Sequence, residues 1–94
     1  MPLFSLLCLD KAGALEVRKA TRPAHLEYVD AAGVVKVGGP VSDPVTGDPV
    51  GSLMIIETES LEAARAYSAG DPYAKAGLFE SVDIRPFTVV RGEL

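Results

Sequence analysis

The sequence has little of the chemistry that would reveal a function directly. Its 94 residues include no tryptophan, one cysteine and one histidine. The single cysteine, Cys8, cannot form an internal disulfide, which is consistent with a reducing compartment. The few cysteines and histidines, without paired carboxylates at ligand spacing, also give no pattern typical of a metal site. We therefore expect neither a bound metal nor a structural disulfide.

Positive charge and long apolar runs are scarce as well. Nine lysines and arginines stand against 13 acidic residues, so the net charge is -4. With no basic stripe, nucleic acid is not an expected partner. No stretch approaches the ~20 apolar residues of a membrane span. The opening "MPLFSLLCLD" also lacks the charged region and cleavage site of a signal peptide. We expect a cytoplasmic protein that binds no membrane.

Helix and strand signals alternate along the chain, whose length suits one domain over residues 1–94. Apolar runs that end in turn residues indicate four strands. Two stretches, "ALEVRKATRPAHLEYVDAAG" and "SLEAARAYSAG", indicate helices, and "PYAKAG" indicates one further helical turn. The order β-α-β-β-α-β predicts a ferredoxin-like α+β fold, in which two helices cover one face of a four-stranded antiparallel sheet.

Prolines, glycines and a serine predict where these elements begin and end. Pro23 should divide the first helix near Ala20, because proline removes a backbone donor and disfavours helix in the residue before it. The second part of that helix should stop at Gly33. The "GGP" of Gly38–Pro40 should close the second strand. Ser60 should cap the second helix.

The first and third strands are apolar on both faces. In the first strand Leu7 and Leu9 alternate with Leu6 and Cys8, although a sheet with one wet face should alternate apolar with polar residues. Two helices can cover only one of these faces. We therefore expect a second copy of the chain to cover the other face in a symmetric homodimer. The alternative is a single deep core that needs no partner.

His25 is the first candidate for chemistry. It follows Arg22 by three residues and precedes Tyr28 by three, so the three share one side of a helix. Histidine titrates near neutrality and is the commonest general acid or base. A lone histidine is nevertheless more often a satisfied structural residue.

Asp71 is the second candidate, held in "GDPYAKAGLF" between Gly70 and Pro72. The two helices of this topology run side by side over the sheet, so Asp71 could reach His25 and fix its tautomer, as a carboxylate does in hydrolytic triads. Alternatively, Asp71 begins or caps the turn at Pro72. The residues alone favour the turn.

Five stretches resemble the YciI-like (YCII-related) family of the dimeric α/β barrel superfamily. They are "RPAHLEYV", "GGP", "GSLMIIE", "SLEAARAYSAGDPYAKAGLFE" and "IRPF". The resemblance covers nearly the whole chain, from the first strand to Phe87. The most specific motifs are the Arg-x-x-His of Arg22 and His25 and the Asp-Pro-Tyr of Asp71–Tyr73. The resemblance implies ferredoxin-like subunits that pair into a barrel, with His25 and Asp71 as a dyad in the suspected active site. Activities of the family and the wider fold include dehydrochlorination and lactone isomerisation.

The resemblance favours an enzyme that needs no cofactor. His25, oriented by Asp71, would move a proton on a small cyclic or aromatic-derived molecule, in isomerase, lyase or dehydrohalogenase chemistry. Arg22 would hold an anionic group of this small-molecule ligand, unless it only forms a surface ion pair. A non-catalytic ligand-binding or accessory domain is the alternative, and haem binding through His25 is a third, weaker one. The other residues expected to contact the ligand are Gly39, Pro40, Ser52, Tyr73 and Phe79.

Overall fold

The computed structural model describes all 94 residues of the chain. Its strands form one antiparallel sheet in the order β2-β3-β1-β4. None of the helices combines the length and apolarity that crossing a membrane requires. The predicted ferredoxin-like fold class and the short helical turn after the second helix are confirmed. The elements are β1 (Leu3–Asp10), α1 (Leu15–Ala32), β2 (Val35–Ser42), β3 (Pro49–Glu57), α2 (Leu61–Gly70), α3 (Pro72–Lys75) and β4 (Phe79–Phe87).

The first helix is continuous, and Pro23 lies inside it. The predicted break at Pro23 is therefore wrong. Proline removes one donor, and the carbonyl that loses its partner belongs to Lys19. Both residues are exposed, so water can reach that carbonyl at little cost. The continuous helix keeps Arg18 and His25 on the same side, two turns apart.

The helix ends follow the predicted capping residues. Gly33 has a left-handed backbone (φ 66°), and its N–H donates to the carbonyl of Val29. Ser60 accepts a hydrogen bond from the N–H of Ala63 at 3.0 Å. Gly70 is the last residue of α2. These predictions are confirmed, because each depends on local backbone chemistry.

The second strand does not end at its glycines but continues through Pro40 to Ser42. The prediction that "GGP" closes this strand is wrong. β2 lies at the edge of the sheet and pairs only with β3, and an edge strand tolerates a missing donor. A Cβ atom at Gly38 would stand 2.9 Å from Cγ of Met54. Glycine thus allows the strand to approach that side chain closely.

The main core lies between the sheet and α2, and the opposite face of the sheet is uncovered. On that open face the large apolar side chains of Leu7, Val37, Leu53 and Phe87 are between 38% and 49% exposed. Both faces are therefore apolar, as the strand pattern predicts. The buried core consists of Phe4, Leu6, Cys8, Met54, Ile56, Ala64 and Tyr67.

A close contact between α1 and α2 depends on Gly70. Tyr28 of α1 donates its hydroxyl to the carbonyl of Tyr67 at 2.8 Å, and the two rings stack with centroids 5.0 Å apart. A Cβ atom at Gly70 would stand 2.5 Å from the Tyr28 hydroxyl oxygen. Glycine at this position therefore leaves space for the hydrogen bond between the helices.

We predict that Gly70→Ala lowers the free energy of unfolding by about 1–3 kcal/mol, because the added methyl group displaces the Tyr28 hydroxyl. Urea denaturation measures the change. Gly39→Ala is the control, since no atom lies within 4 Å of a Cβ at that position. In a Tyr28→Phe background the cost of Gly70→Ala should shrink. An equal cost in both backgrounds would contradict this explanation.

Candidate active site

His25 and Asp71 meet as a buried, hydrogen-bonded pair. The Nδ1 atom of His25 lies 2.9 Å from each carboxylate oxygen of Asp71. His25 is 9% exposed and Asp71 is 1% exposed. Because a carboxylate only accepts hydrogen bonds, Nδ1 carries the hydrogen and Nε2 keeps the lone pair of the neutral ring.

Asp71 also caps the short helix α3. Its Oδ1 atom accepts a hydrogen bond from the N–H of Tyr73 at 2.9 Å. Both interpretations of "GDPYAKAGLF" are therefore compatible, since one carboxylate accepts from the turn and from the imidazole. The backbone bond fixes the orientation in which the carboxylate meets His25.

The ring of Tyr73 stacks on the face of the His25 imidazole. The ring centroids of Tyr73 and His25 are 4.1 Å apart with an interplanar angle of 18°. Phe79 packs edge-on against Tyr73 at 6.0 Å. Burial raises the pKa of Tyr73, and the charges of Arg18 and Arg22 offset part of this rise. The phenol therefore stays protonated at neutral pH and can donate a hydrogen bond.

Arg18 and Asp10 form a second buried pair, which the sequence analysis missed. Nε of Arg18 lies 2.7 Å from Oδ2 of Asp10, and Nη2 lies 2.9 Å from Oδ1. Nη2 also donates to the Ser52 hydroxyl at 2.9 Å. Burial alone would lower the pKa of Arg18, but the hydrogen bonds and charge of Asp10 raise it above its ordinary value. Arg18 is thus a fixed cation.

One signal in the sequence could have found Arg18. Arg18, Arg22 and His25 are spaced i, i+4, i+7, which places all three on one side of a helix. The predicted break at Pro23 separated Arg18 from the other two. No local signal connects Asp10 to this group, because Asp10 reaches it through the end of β1.

A cavity of about 270 Å³ lies between α1, α3 and the β2-β3 half of the sheet. Arg22 is exposed at this cavity and forms no salt bridge with a carboxylate. Asp71 lies behind His25, and Phe79 lies behind Tyr73, so neither lines the cavity. The predicted residues that do line it are Arg22, His25, Gly39, Pro40, Ser52 and Tyr73.

Cys8 is a buried residue of the core. It is 1% exposed, and burial raises the pKa of its thiol to about 12. At neutral pH the thiolate, which is the reactive form, is therefore negligible. This environment agrees with the interpretation of Cys8 as a small buried hydrophobic residue.

Comparisons with known proteins cover nearly the whole chain. The YCII-related domain matches residues 2–88. Protein YciI of Escherichia coli O6:H1 is 40% identical over 96 aligned positions, which cover 94% of this chain and 98% of that protein. An uncharacterized protein of Haemophilus influenzae is 32% identical over 95 positions, covering 93% of this chain and 97% of that protein.

A solved structure of a related enzyme has the same fold. It is the 5-chloro-2-hydroxyhydroquinone dehydrochlorinase TftG of Burkholderia phenoliruptrix in complex with 2,5-dihydroxybenzoquinone. TftG is 34% identical, with a TM-score of 0.86, and the match covers 92% of this chain and 93% of that chain. An antibiotic biosynthesis monooxygenase, 12% identical with a TM-score of 0.60 over 97% of this chain and 100% of that chain, shares the fold alone. The matches confirm the resemblance found in the motifs: this chain belongs to the YCII-related family.

Proposed function

We propose that this protein is an enzyme in which His25, oriented by Asp71, transfers a proton on a small cyclic or aromatic-derived molecule. The observation that carries this proposal is the pair of 2.9 Å contacts between Nδ1 of His25 and the Asp71 carboxylate. They leave Nε2 without a protein partner. The Tyr67 hydroxyl is the only side-chain polar atom that is both fully buried and without a partner. Nε2 has no partner either, so it must be in contact with solvent.

The buried carboxylate suits a proton-transfer role. A general base must hold a lone pair within reach of the substrate, and its charged form must be stabilised when it takes the proton. Asp71 is 1% exposed, so its charge acts on His25 with little screening by water. Tyr73 stacks on the imidazole and restricts its rotation. His25 is thus held in one orientation before a substrate arrives.

Proton transfer alone accounts for isomerisation and for elimination. In an elimination, the hydrogen moves from carbon to Nε2, the electron pair of the C–H bond forms a double bond, and chloride leaves with its own bonding pair. No oxidant or reductant is consumed. The relative TftG is a dehydrochlorinase, which supports this reaction class for the present chain.

The His25 tautomer tests the pairing. We predict that the neutral ring carries its hydrogen on Nδ1, because the Asp71 carboxylate accepts from that atom. Ring ¹⁵N chemical shifts report the tautomer, and the chain has one histidine, so its signals need no assignment. Asp71→Asn should yield a mixture, since an amide can donate as well as accept. A wild-type ring protonated on Nε2 alone would refute the pairing.

Substitution of the base tests the activity. We predict that His25→Gln lowers kcat by about 10²–10⁴-fold, because the glutamine amide cannot take up a proton. The assay follows chloride release and absorbance with 5-chloro-2-hydroxyhydroquinone, together with a panel of lactones and quinones. Glu27→Gln is the matched control, since Glu27 is an exposed residue of the same helix. Wild-type turnover by His25→Gln would exclude His25 as the base.

The same assays separate an enzyme from a binding domain. A ligand that the wild-type protein binds but never converts would favour the alternative, a ligand-binding or accessory domain. In that case His25→Gln should change the ligand's dissociation constant, and no product should form with either protein.

We also propose that two copies of the chain pair through the open face of the sheet. Leu7 and Leu53 face each other across β1 and β3 and are 38% and 46% exposed. A contiguous apolar surface of this kind is typical of an interface. An antiparallel sheet that faces water would present polar residues instead.

The state of assembly tests this pairing. We predict that Leu53→Lys converts a dimer to a monomer, because it would bury unpaired lysines at the interface. Sedimentation velocity measures the change, and circular dichroism checks that the fold is kept. Val45→Lys is the control, since Val45 is 91% exposed in the loop between β2 and β3. A monomeric wild-type protein would refute the proposal.

A further inference from the structure

The cavity is lined by cations and by no carboxylate. Three basic side chains, Arg18, Lys19 and Arg22, are part of its wall, which contains no aspartate or glutamate. The chain as a whole has 13 acidic and nine basic residues, so the charge of the cavity wall is opposite in sign to the net charge of the chain. The two nearby carboxylates lie outside the wall: Asp10 is hydrogen bonded to Arg18, and Asp71 is hydrogen bonded to His25.

Arg18 has one donor group left over. Its Nε and Nη2 atoms bond to Asp10, and Nη2 also bonds to Ser52. Nη1 takes part in none of these three bonds, although a guanidinium carries N–H groups on all three nitrogens. The Tyr73 hydroxyl is close enough to Arg18 to contribute to its raised pKa. Arg18 is 4% exposed. Nη1 is not among the sealed atoms without a partner, so it keeps some solvent contact, and Arg18 is one of the residues that line the cavity.

Ser52 supplies a second donor beside Arg18. Its oxygen accepts from Nη2 of Arg18 at 2.9 Å, so its own hydrogen remains available to a ligand. Ser52 is 4% exposed and lines the same cavity. Arg18 and Ser52 therefore present two neighbouring donors, one of them charged, and neither can shift without breaking a buried bond.

We propose that Nη1 of Arg18 and the Ser52 hydroxyl form an oxyanion-binding site, and that the ligand is a small ring compound with an enolate, phenolate or carboxylate oxygen. The assignment of this anion as a substrate rests on the proposed role of His25. Asp10 is a positioning residue that fixes the guanidinium. The site and the imidazole share one cavity, since Arg18, Ser52 and His25 all line it. The Tyr73 ring contacts both groups: its centre lies 4.1 Å from that of the imidazole and 4.7 Å from the guanidinium carbon.

We expect an anion to bind this site more tightly than a neutral molecule does. Donors that are desolvated by a ligand must find an acceptor, and those left unpaired reduce affinity. When His25 removes a proton from a carbon beside a carbonyl group, the electron pair of the C–H bond forms a carbon–carbon double bond, and the π pair of the carbonyl group moves to its oxygen. Donors fixed in advance at that oxygen stabilise the developing charge. The base His25 and the donors of Arg18 and Ser52 would thus act on the same reaction.

Binding of benzoate and of benzamide tests the oxyanion site apart from catalysis. The two probes have nearly the same shape, and only benzoate is charged. By calorimetry, we expect benzoate to bind at least tenfold more tightly than benzamide to wild-type protein and to His25→Gln. Arg18→Lys should weaken benzoate binding by about tenfold to a hundredfold and leave benzamide unchanged, because lysine keeps the charge but loses the forked donors.

Two further variants complete the test. Ser52→Ala removes the second donor without breaking the Arg18–Asp10 pair, so it decides the outcome should Arg18→Lys fail to fold. Lys19→Gln is the control for charge alone, because Lys19 is exposed, with 62% of its side-chain surface accessible, and it should change benzoate binding less. The site is refuted if benzoate binds no more tightly than benzamide, or if both Arg18→Lys and Ser52→Ala bind benzoate as wild type does. Benzoate binding without turnover of any substrate would retain the oxyanion site and reject the enzyme.

Discussion

The carboxylate of Asp71 is the constraint on which the site depends. It is 1% exposed, and a buried charge is costly unless it is paired and hydrogen bonded. The N–H of Tyr73 and Nδ1 of His25 provide its partners. The first bond fixes the turn after α2, and the second bond ties that turn to α1. The turn and the site therefore depend on the same group, and Tyr73 is held where its ring can stack on the imidazole.

A second buried pair anchors α1 two turns away. Arg18 bonds to Asp10 at the end of β1, whereas His25 bonds to the junction of α2 and α3. Both side chains project from one side of the helix, so the geometry requires α1 to be continuous between them. Pro23 is compatible with this because it lies on the exposed side. Buried pairs of ionisable side chains seldom add net stability over apolar packing, so two of them beside one cavity point to a functional reason.

The sequence predicts the architecture well and the site only in part. Strand periodicity and caps such as Ser60 determine the elements, because they depend on neighbouring residues. The wrong predictions at Pro23 and Pro40 have one cause, which is the rule that proline breaks an element. The rule fails for Pro23 because that side of the helix faces water, and it fails for Pro40 because β2 is the edge strand of the sheet. The topology predicts that Asp71 could reach His25, but it does not predict that the two residues pair. Asp10 meets Arg18 through tertiary packing, of which the sequence carries no local sign.

The two pairs share an arrangement that bears on what the cavity can accept. In each pair the carboxylate lies behind its partner, and the nitrogen-bearing side chain forms the wall. The wall therefore presents positive charge and donors, although the chain carries a net charge of -4. A carboxylate in the wall would repel an anion at short range, where water screens charges poorly. Asp10 and Asp71 orient the cavity's functional groups while remaining outside it, so the imidazole and the guanidinium can act on an anionic ligand.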